Sequence, residues 1–168
     1  MEKAGQEPAQ PLSFGLKRRE AAPEDAPVIV GWFATRLEQV WWGGPTVPDP
    51  LTADWLLGQF TLGRYWVWCD GAGVIQATAG LKAMDGGLAW LNRFGIAPVM
   101  RGRGYAVELM EDVIEIARRR GDSRMGLGVY GSNQIARRVY DKLEFLPVGE
   151  RTAAEDPSGI SITMQRDL

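Results

Sequence analysis

Residues 96–106 read Ile96-Ala97-Pro98-Val99-Met100-Arg101-Gly102-Arg103-Gly104-Tyr105-Ala106, and the fold turns on them. Upstream, Leu88 to Ile96 alternates as a strand, with Leu88, Trp90, Asn92, Phe94 and Ile96 expected on one face and Ala89, Leu91, Arg93 and Gly95 on the other. Downstream, Val107, Met110, Val113, Ile114 and Ala117 keep helical spacing from Gly104 to Arg120. Acids Glu108, Glu111 and Asp112 sit early in that helix and Arg118-Arg119-Arg120 late, as the helix dipole prefers, with Gly121 as the stop. A strand thus feeds a helix through a turn whose glycines let an anion approach the backbone, where the unpaired N–H groups of a helix start favour negative charge. Arg101 and Arg103 add positive charge, so the segment predicts a phosphate-bearing ligand; the plain alternative is a solvated turn with two surface arginines.

Two nucleotide readings are weak. No Gly-Lys followed by Ser or Thr occurs, so there is no Walker A loop. Gly102 to Val107 gives G-x-G-x-x-V, without the third glycine of a dinucleotide fingerprint, and it lies late in the chain.

Working outward, Ser13 to Arg19 predicts a short strand, Val28 to Val40 one helix ending at Gly43-Gly44-Pro45, and Asp54, Trp55, Leu56 and Phe60 a second short helix ending near Gly63. Tyr65–Cys69 and Val74–Leu81, joined by Asp70-Gly71-Ala72-Gly73, read as a hairpin. After a strand at Met125–Tyr130, Ser132 or Asn133 caps a helix with Ile135, Ala136, Val139, Tyr140 and Leu143 on one face. Strands near Phe145–Arg151 and Gly159–Gln165 follow. The order β-α-α-β-β-β-α-β-α-β-β predicts an α/β fold on a mixed sheet.

With 19 basic and 21 acidic residues among 168, the net charge of −2 argues against nucleic acid as a partner. The length suits one domain, expected over 13–168, after a Pro- and Gln-rich leader, residues 1–12, expected to be disordered. No apolar run approaches the roughly 18 residues a membrane span needs, and the N-terminus has no signal-like apolar core. The single cysteine, Cys69, closes no intrachain disulfide and lies in an apolar strand, so it reads as a core residue in a reducing, cytoplasmic setting. The absence of histidine excludes histidine-based triads, a histidine general base and His-containing zinc sites; no metal is expected.

Ile96, Pro98, Arg101, Gly104 and Ala106 together resemble the acyl-CoA-binding motif V-x-P-x-x-(R/Q)-x-x-G-x-(G/A) of the GNAT superfamily of N-acetyltransferases. Asn133-Gln134-Ile135-Ala136-Arg137-Arg138-Val139-Tyr140-Asp141-Lys142-Leu143-Glu144-Phe145 is similar to the same family's N-x-x-A-x-x-x-Y-x-x-x-G-F, with Glu144 in place of the usual glycine. The resemblance covers about residues 14–166. It implies a mixed, mostly antiparallel central sheet flanked by helices, with acetyl-CoA (coenzyme A) as the co-substrate.

By the same resemblance, Phe94, Gly95 and Ile96 match the strand that pairs with the pantetheine arm and the acetyl carbonyl. Arg101, Gly102, Arg103, Gly104, Tyr105 and Ala106 match the pyrophosphate turn, Asn133 the pantetheine-contacting asparagine, and Tyr140 the general acid on the leaving thiolate. Asn133, Ala136 and Tyr140 lie at i, i+3 and i+7, so they share a helix face; without the motif, Tyr140 reads as a core aromatic. The family reaction is direct attack of a neutral amine on the thioester. The glutamate that often serves as base in the branch acting on ribosomal-protein amino termini is Gly128 here. Glu38, Asp49, Asp54, Asp70 and Asp85 border the expected cleft and none is singled out by spacing. Trp41-Trp42 is expected at a loop on the acceptor side, either packing an amine or capping the sheet. The expected acceptor is a small-molecule amine or a protein amine, with no nucleic acid and no membrane, and a homodimer through the late strands fits the family's habit. The alternatives are a catalytically silent acyl-CoA-binding module and a nucleotide-binding regulator.

Overall fold

The computed structural model describes residues 12–168. Of the leader expected over 1–12, residues 1–11 lie outside the described residues. Leu12 already belongs to a turn, accepting from Gly15 N–H at 2.8 Å and donating to the Leu16 carbonyl at 2.9 Å.

Seven strands form one sheet in the order β1-β2-β3-β4-β5-β7-β6. They are β1 Lys17–Glu20, β2 Arg64–Cys69, β3 Ile75–Met84, β4 Leu88–Ile96, β5 Arg124–Tyr130, β6 Leu146–Thr152 and β7 Ile160–Asp167. Only β4 and β5 run parallel; every other neighbouring pair is antiparallel. The helices are α1 Ala26–Val30, α2 Arg36–Gly43, α3 Ala53–Phe60, α4 Tyr105–Arg120 and α5 Gln134–Lys142. This is the expected mixed, mostly antiparallel sheet, with one correction among the helices.

The segment 28–40 is two helices rather than one. α1 ends at Gly31, and α2 restarts where Thr35 accepts from Glu38 N–H while the Glu38 carboxylate accepts from Thr35 N–H. This reciprocal capping box satisfies two donors that a continuous helix would have paired internally. Val28, placed by its spacing on the inner face, is 48% exposed, and Ala26 and Ile29 fill that place instead.

One face of the sheet packs α4 and α5. Leu109, Met110, Val113, Ile114 and Ala117 of α4 are buried against Trp66, Trp68, Ala79, Leu81, Met125 and Leu127. The four large side chains of that stripe contribute on the order of 6–12 kcal/mol of apolar burial. The early acids of α4 also do more than oppose its dipole. Asp112 accepts from the Trp68 indole at 2.8 Å and from Arg18 at 2.6 Å, and Glu108 accepts from Ser13 N–H at 2.6 Å, so both tie α4 to the N-terminal segments. The other face carries α1 and α3, with Trp42 of α2, packed on Val67, Cys69 and Ile75.

α5 ends in a Schellman arrangement: Phe145 N–H bonds the Tyr140 carbonyl and Glu144 N–H the Asp141 carbonyl, both at 3.0 Å. Glu144 takes φ 62°, the left-handed conformation that the family's glycine adopts freely. Phe145 then meets the Tyr140 ring edge-on at 5.8 Å, the apolar contact that accompanies this cap. The departure from the motif therefore leaves the turn's shape intact and places a carboxylate where a hydrogen would do.

Candidate active site

The parallel ladder between β4 and β5 is short. Leu88, Ala89 and Trp90 pair with Arg124, Met125 and Gly126, and there the pairing ends. Beyond Trp90 the two strands splay, and the β4 edge that faces β5 is left without a strand partner. A cleft of about 280 Å³ occupies the gap, walled by Leu91, Phe94, Gly95 and Ile96 on one side and Leu127, Gly128 and Val129 on the other.

A bulge shapes the β4 wall. Leu81 faces Leu91 and Gly80 faces Asn92, but Thr78 faces Gly95 and Ala77 faces Ile96, so β4 holds one residue more than β3 over this stretch. Arg93 takes up the extra length at φ 49°. The expected alternation is corrected here: the bulge moves Phe94 and Ile96 to the face of Ala89 and Leu91, and Gly95 to the face of Asn92. A Cβ on Gly95 would come within 2.9 Å of the Trp42 indole nitrogen and 3.0 Å of Phe33, so only glycine lets these rings close against the strand.

At one end of the cleft the turn after Ile96 opens α4. Gly102 and Gly104 have φ of 72° and 80°, and the N–H groups of Gly102, Arg103 and Gly104 meet no backbone acceptor among the described residues. Gly104 caps α4 without a side chain, leaving the first-turn donors at Tyr105 and Ala106 open. The Tyr105 ring stacks on Phe14 at 4.2 Å, so it anchors the turn through its side chain while its backbone remains at the helix start.

The Arg101 side chain has partners within the protein. Its guanidinium donates to the Ile96 carbonyl, the Trp32 carbonyl and Glu38 Oε1, each at 2.9 Å, and lies over the Phe33 ring. Its N–H bonds the Pro98 carbonyl at 3.2 Å. Arg101 straps the turn to Trp32 and to Glu38 of α2 with three of its five N–H donors.

α5 lines the cleft with Asn133, Ala136, Val139 and Tyr140. Asn133 Oδ1 caps the helix by accepting from Ala136 N–H at 3.2 Å, which leaves its amide NH₂ for another partner. Tyr140 is 7% exposed, and burial alone pushes its phenol well above the usual tyrosine range. The raised pKa keeps it protonated at neutral pH, and among the described residues no side chain bonds its hydroxyl, which leaves it free to donate.

On the opposite face the cleft meets Phe33, Glu38, Trp41, Trp42 and Arg93. Both tryptophans lie in α2 rather than in a loop after it. Trp42 is buried, stacks on Phe33 at 4.4 Å and donates to the Arg93 carbonyl at 3.0 Å, so it caps the sheet. Trp41 bonds Ser132 and Asp156, each at 3.0 Å. Of the five carboxylates bordering the expected cleft, Glu38 alone lines it. Burial raises its pKa, but bonds from the Thr35 N–H and hydroxyl, then from Arg101, outweigh that and hold the carboxyl below its usual range. With both oxygens engaged, Glu38 is a structural strap and a poor base. Cys69 is buried, and its thiol is pushed up by desolvation, as suits a core residue.

Two residues important to this geometry have no motif behind them. Arg93 shows in the sequence only as a charge in an apolar strand. Asp156 lies in an Asp156-Pro157-Ser158-Gly159 turn, yet it is 4% exposed and accepts from Ser132 N–H and hydroxyl, Ser158 N–H and hydroxyl, and the Trp41 indole.

A splayed parallel strand pair beside a glycine-rich helix start defines a site for an extended, phosphate-bearing ligand. Residues 34–145 match the model of the acetyltransferase (GNAT) family, and the chain belongs to that family. A mycothiol acetyltransferase of Beutenbergia cavernae is 34% identical over 79 residues; the match covers 47% of this chain but about a quarter, 27%, of that protein. Among solved structures, a GCN5-related N-acetyltransferase from Kribbella flavida is 26% identical with a TM-score of 0.73, covering 92% of this chain and 99% of that one. Spermidine N-acetyltransferase from Vibrio cholerae, solved with CoA and spermine, shares the fold at 17% identity and a TM-score of 0.76, over 92% and 96% of the two chains. Among the described residues no helix is long and apolar enough to cross a membrane.

Proposed function

We propose that this chain transfers acetyl from acetyl-CoA, the co-substrate of its family, to the amine of a small molecule by direct attack on the thioester. The observation that carries this reading is the convergence, in one cleft, of an unpaired β4 edge, a helix start with open N–H groups, and a phenol with no side-chain partner.

The backbone of Phe94, Gly95 and Ile96 pairs with the pantetheine arm, and an N–H of this edge polarises the acetyl carbonyl, where charge develops in the tetrahedral intermediate. Gly102, Arg103, Gly104, Tyr105 and Ala106 hold the pyrophosphate through backbone N–H groups and the Arg103 charge. Arg101 contributes by fixing the turn. The Asn133 amide contacts the pantetheine. The neutral amine nitrogen attacks the carbonyl carbon, the C–S bond breaks, the sulfur takes a proton from Tyr140, and the proton that the nitrogen sheds on becoming an amide passes to water, from which the phenolate is reprotonated. A thiol pKa near ~8.5 in water lies below that of a phenol, and desolvation in the cleft raises the basicity of the thiolate as well as that of the phenolate. Pairing of two copies along the exposed edge β6, where Leu146 and Val148 face solvent, fits the same reading.

Thermal unfolding with acetyl-CoA, CoA, NAD and ATP in parallel tests the binding half. Acetyl-CoA and CoA at ~100 times their dissociation constants are expected to stabilise the fold by about 2.7 kcal/mol, with no shift from NAD or ATP at equal concentration. A shift with ATP or NAD that CoA does not match would favour a nucleotide-binding regulator.

A further inference from the structure

We propose that the acceptor carries a carboxylate close to its amine, and that Arg93 binds it. The inference rests on the acetyltransferase reading and names the acceptor class for the same cleft.

Two arginines line the cleft among the described residues. Arg101 has a carboxylate partner, Glu38, at 2.9 Å. Among the described residues Arg93 has none within ion-pair distance, and the one side-chain hydrogen bond it makes there runs from Nη1 to the Tyr65 hydroxyl at 2.8 Å. A guanidinium carries five N–H donors. Here Nε is fully buried and, among the described residues, is the one buried side-chain nitrogen or oxygen without a hydrogen-bond partner. Nη2 makes no hydrogen bond among the described residues either and, unlike Nε, is not buried, so it is the donor that a ligand in the cleft can reach.

The guanidinium is also held ready. It lies over the Trp55 ring at 4.9 Å, and the Tyr65 hydroxyl pins one end. Its backbone is the bulge residue of β4, fixed by the bond from Trp42 to its carbonyl. Phe94, Gly95 and Ile96 follow directly, so whatever Arg93 grips is registered against the strand that presents the thioester. Trp55 and Tyr65 belong to the α1–α3 side of the sheet, opposite α4 and α5, which places the anion on the acceptor side of the cleft. A planar fork with one positive charge and aromatic neighbours matches a carboxylate, whose two oxygens take parallel N–H bonds. A phosphate monoester would bring a second negative charge, and among the described residues the cleft's other arginine, Arg101, is already paired with Glu38.

The test follows free-thiol release from acetyl-CoA with the standard L-amino acids, each paired with its decarboxylated amine and its carboxamide. The wild-type protein is expected to favour at least one amino acid over both its analogues by about 100-fold or more in kcat/KM, because a site built around a polar partner rejects the analogue that lacks it. In Arg93→Gln the preference is expected to fall to within a fewfold, through the acceptor KM, while the thermal shift with acetyl-CoA is retained. Arg93→Lys restores part of the preference. Equal use of the decarboxylated amines, or thiol release only with amines lacking a carboxylate, overturns the inference and leaves the acetyltransferase reading standing. No thermal shift with acetyl-CoA and no thiol release with any amine sinks both.

Discussion

Tyr140→Phe is expected to lower kcat by about 10²–10⁴-fold, the range for removing a positioned general acid, equivalent to about 2.7–5.4 kcal/mol of transition-state free energy. The KM for acetyl-CoA is expected to change little, because the ring remains and only the proton donor is lost. Stability gives a clean control. Among the described residues the hydroxyl has no side-chain partner for its removal to orphan, and the edge-on contact with Phe145 persists; unfolding free energy is expected to shift by no more than about 0.5 kcal/mol. Because burial holds the phenol above its usual range, Tyr140 adds no alkaline limb to the pH–rate profile below about pH 10. Steady-state kinetics beside urea unfolding reads both quantities, and unchanged turnover in the variant would remove Tyr140 from the chemistry.

Asp156→Ala is expected to cost about 3 kcal/mol, measured by urea unfolding at pH 7, since it takes the buried acceptor from two backbone N–H groups and the Ser132 hydroxyl, and leaves the Trp41 indole only Ser132 and the Ser158 hydroxyl only the Ile160 carbonyl. The effect reaches the cleft, because Trp41 lines it and Ser132 precedes Asn133, so acetyl-CoA affinity is expected to fall as well. The pH dependence follows from the carboxyl. Burial pushes its pKa up, but the bonds from Ser132, Ser158 and Trp41 prevail and draw it down to about 2. A folded-state pKa below the unfolded value, near ~3.9, means that the charged form stabilises the fold above about pH 4 and that this is lost as pH falls toward 2. The difference in stability between wild type and variant is therefore expected to shrink by roughly 2 kcal/mol across that window. A constant difference down to pH 2 would show that the carboxylate's charge is not what holds the loop.

The parts of this molecule legible in its sequence are those set by local chemistry. α4 follows from its spacing, end charges and Gly121 stop, and the two motif segments meet in one cleft, with Tyr140 and Asn133 on one face of α5. What escapes a residue-by-residue reading depends on partners far along the chain. The bulge at Arg93 arises from the register with β3, and it reverses the faces of Phe94 and Gly95 that simple alternation assigns. The break at 31–35 is an exception, since Thr35-Arg36-Leu37-Glu38 spells a capping box that outweighs the apolar spacing on either side of it. Arg101 and Glu38 are 63 residues apart, and nothing local says that the guanidinium is occupied before any ligand arrives. Asp156 looks like a turn former, and only the fold brings Trp41 and Ser132 to it.

The central claim is transfer as well as binding, and amine-dependent release of free CoA thiol from acetyl-CoA tests it most directly when the acceptor is followed by mass spectrometry. The account predicts thiol release that requires an amine, a 42-Da gain on the acceptor for each thiol freed (about one acetyl group), and no acetyl on Cys69, since attack is direct. Stabilisation by acetyl-CoA with no thiol released above the amine-free rate, across amines with and without a carboxylate, would contradict it and leave a silent acyl-CoA-binding module.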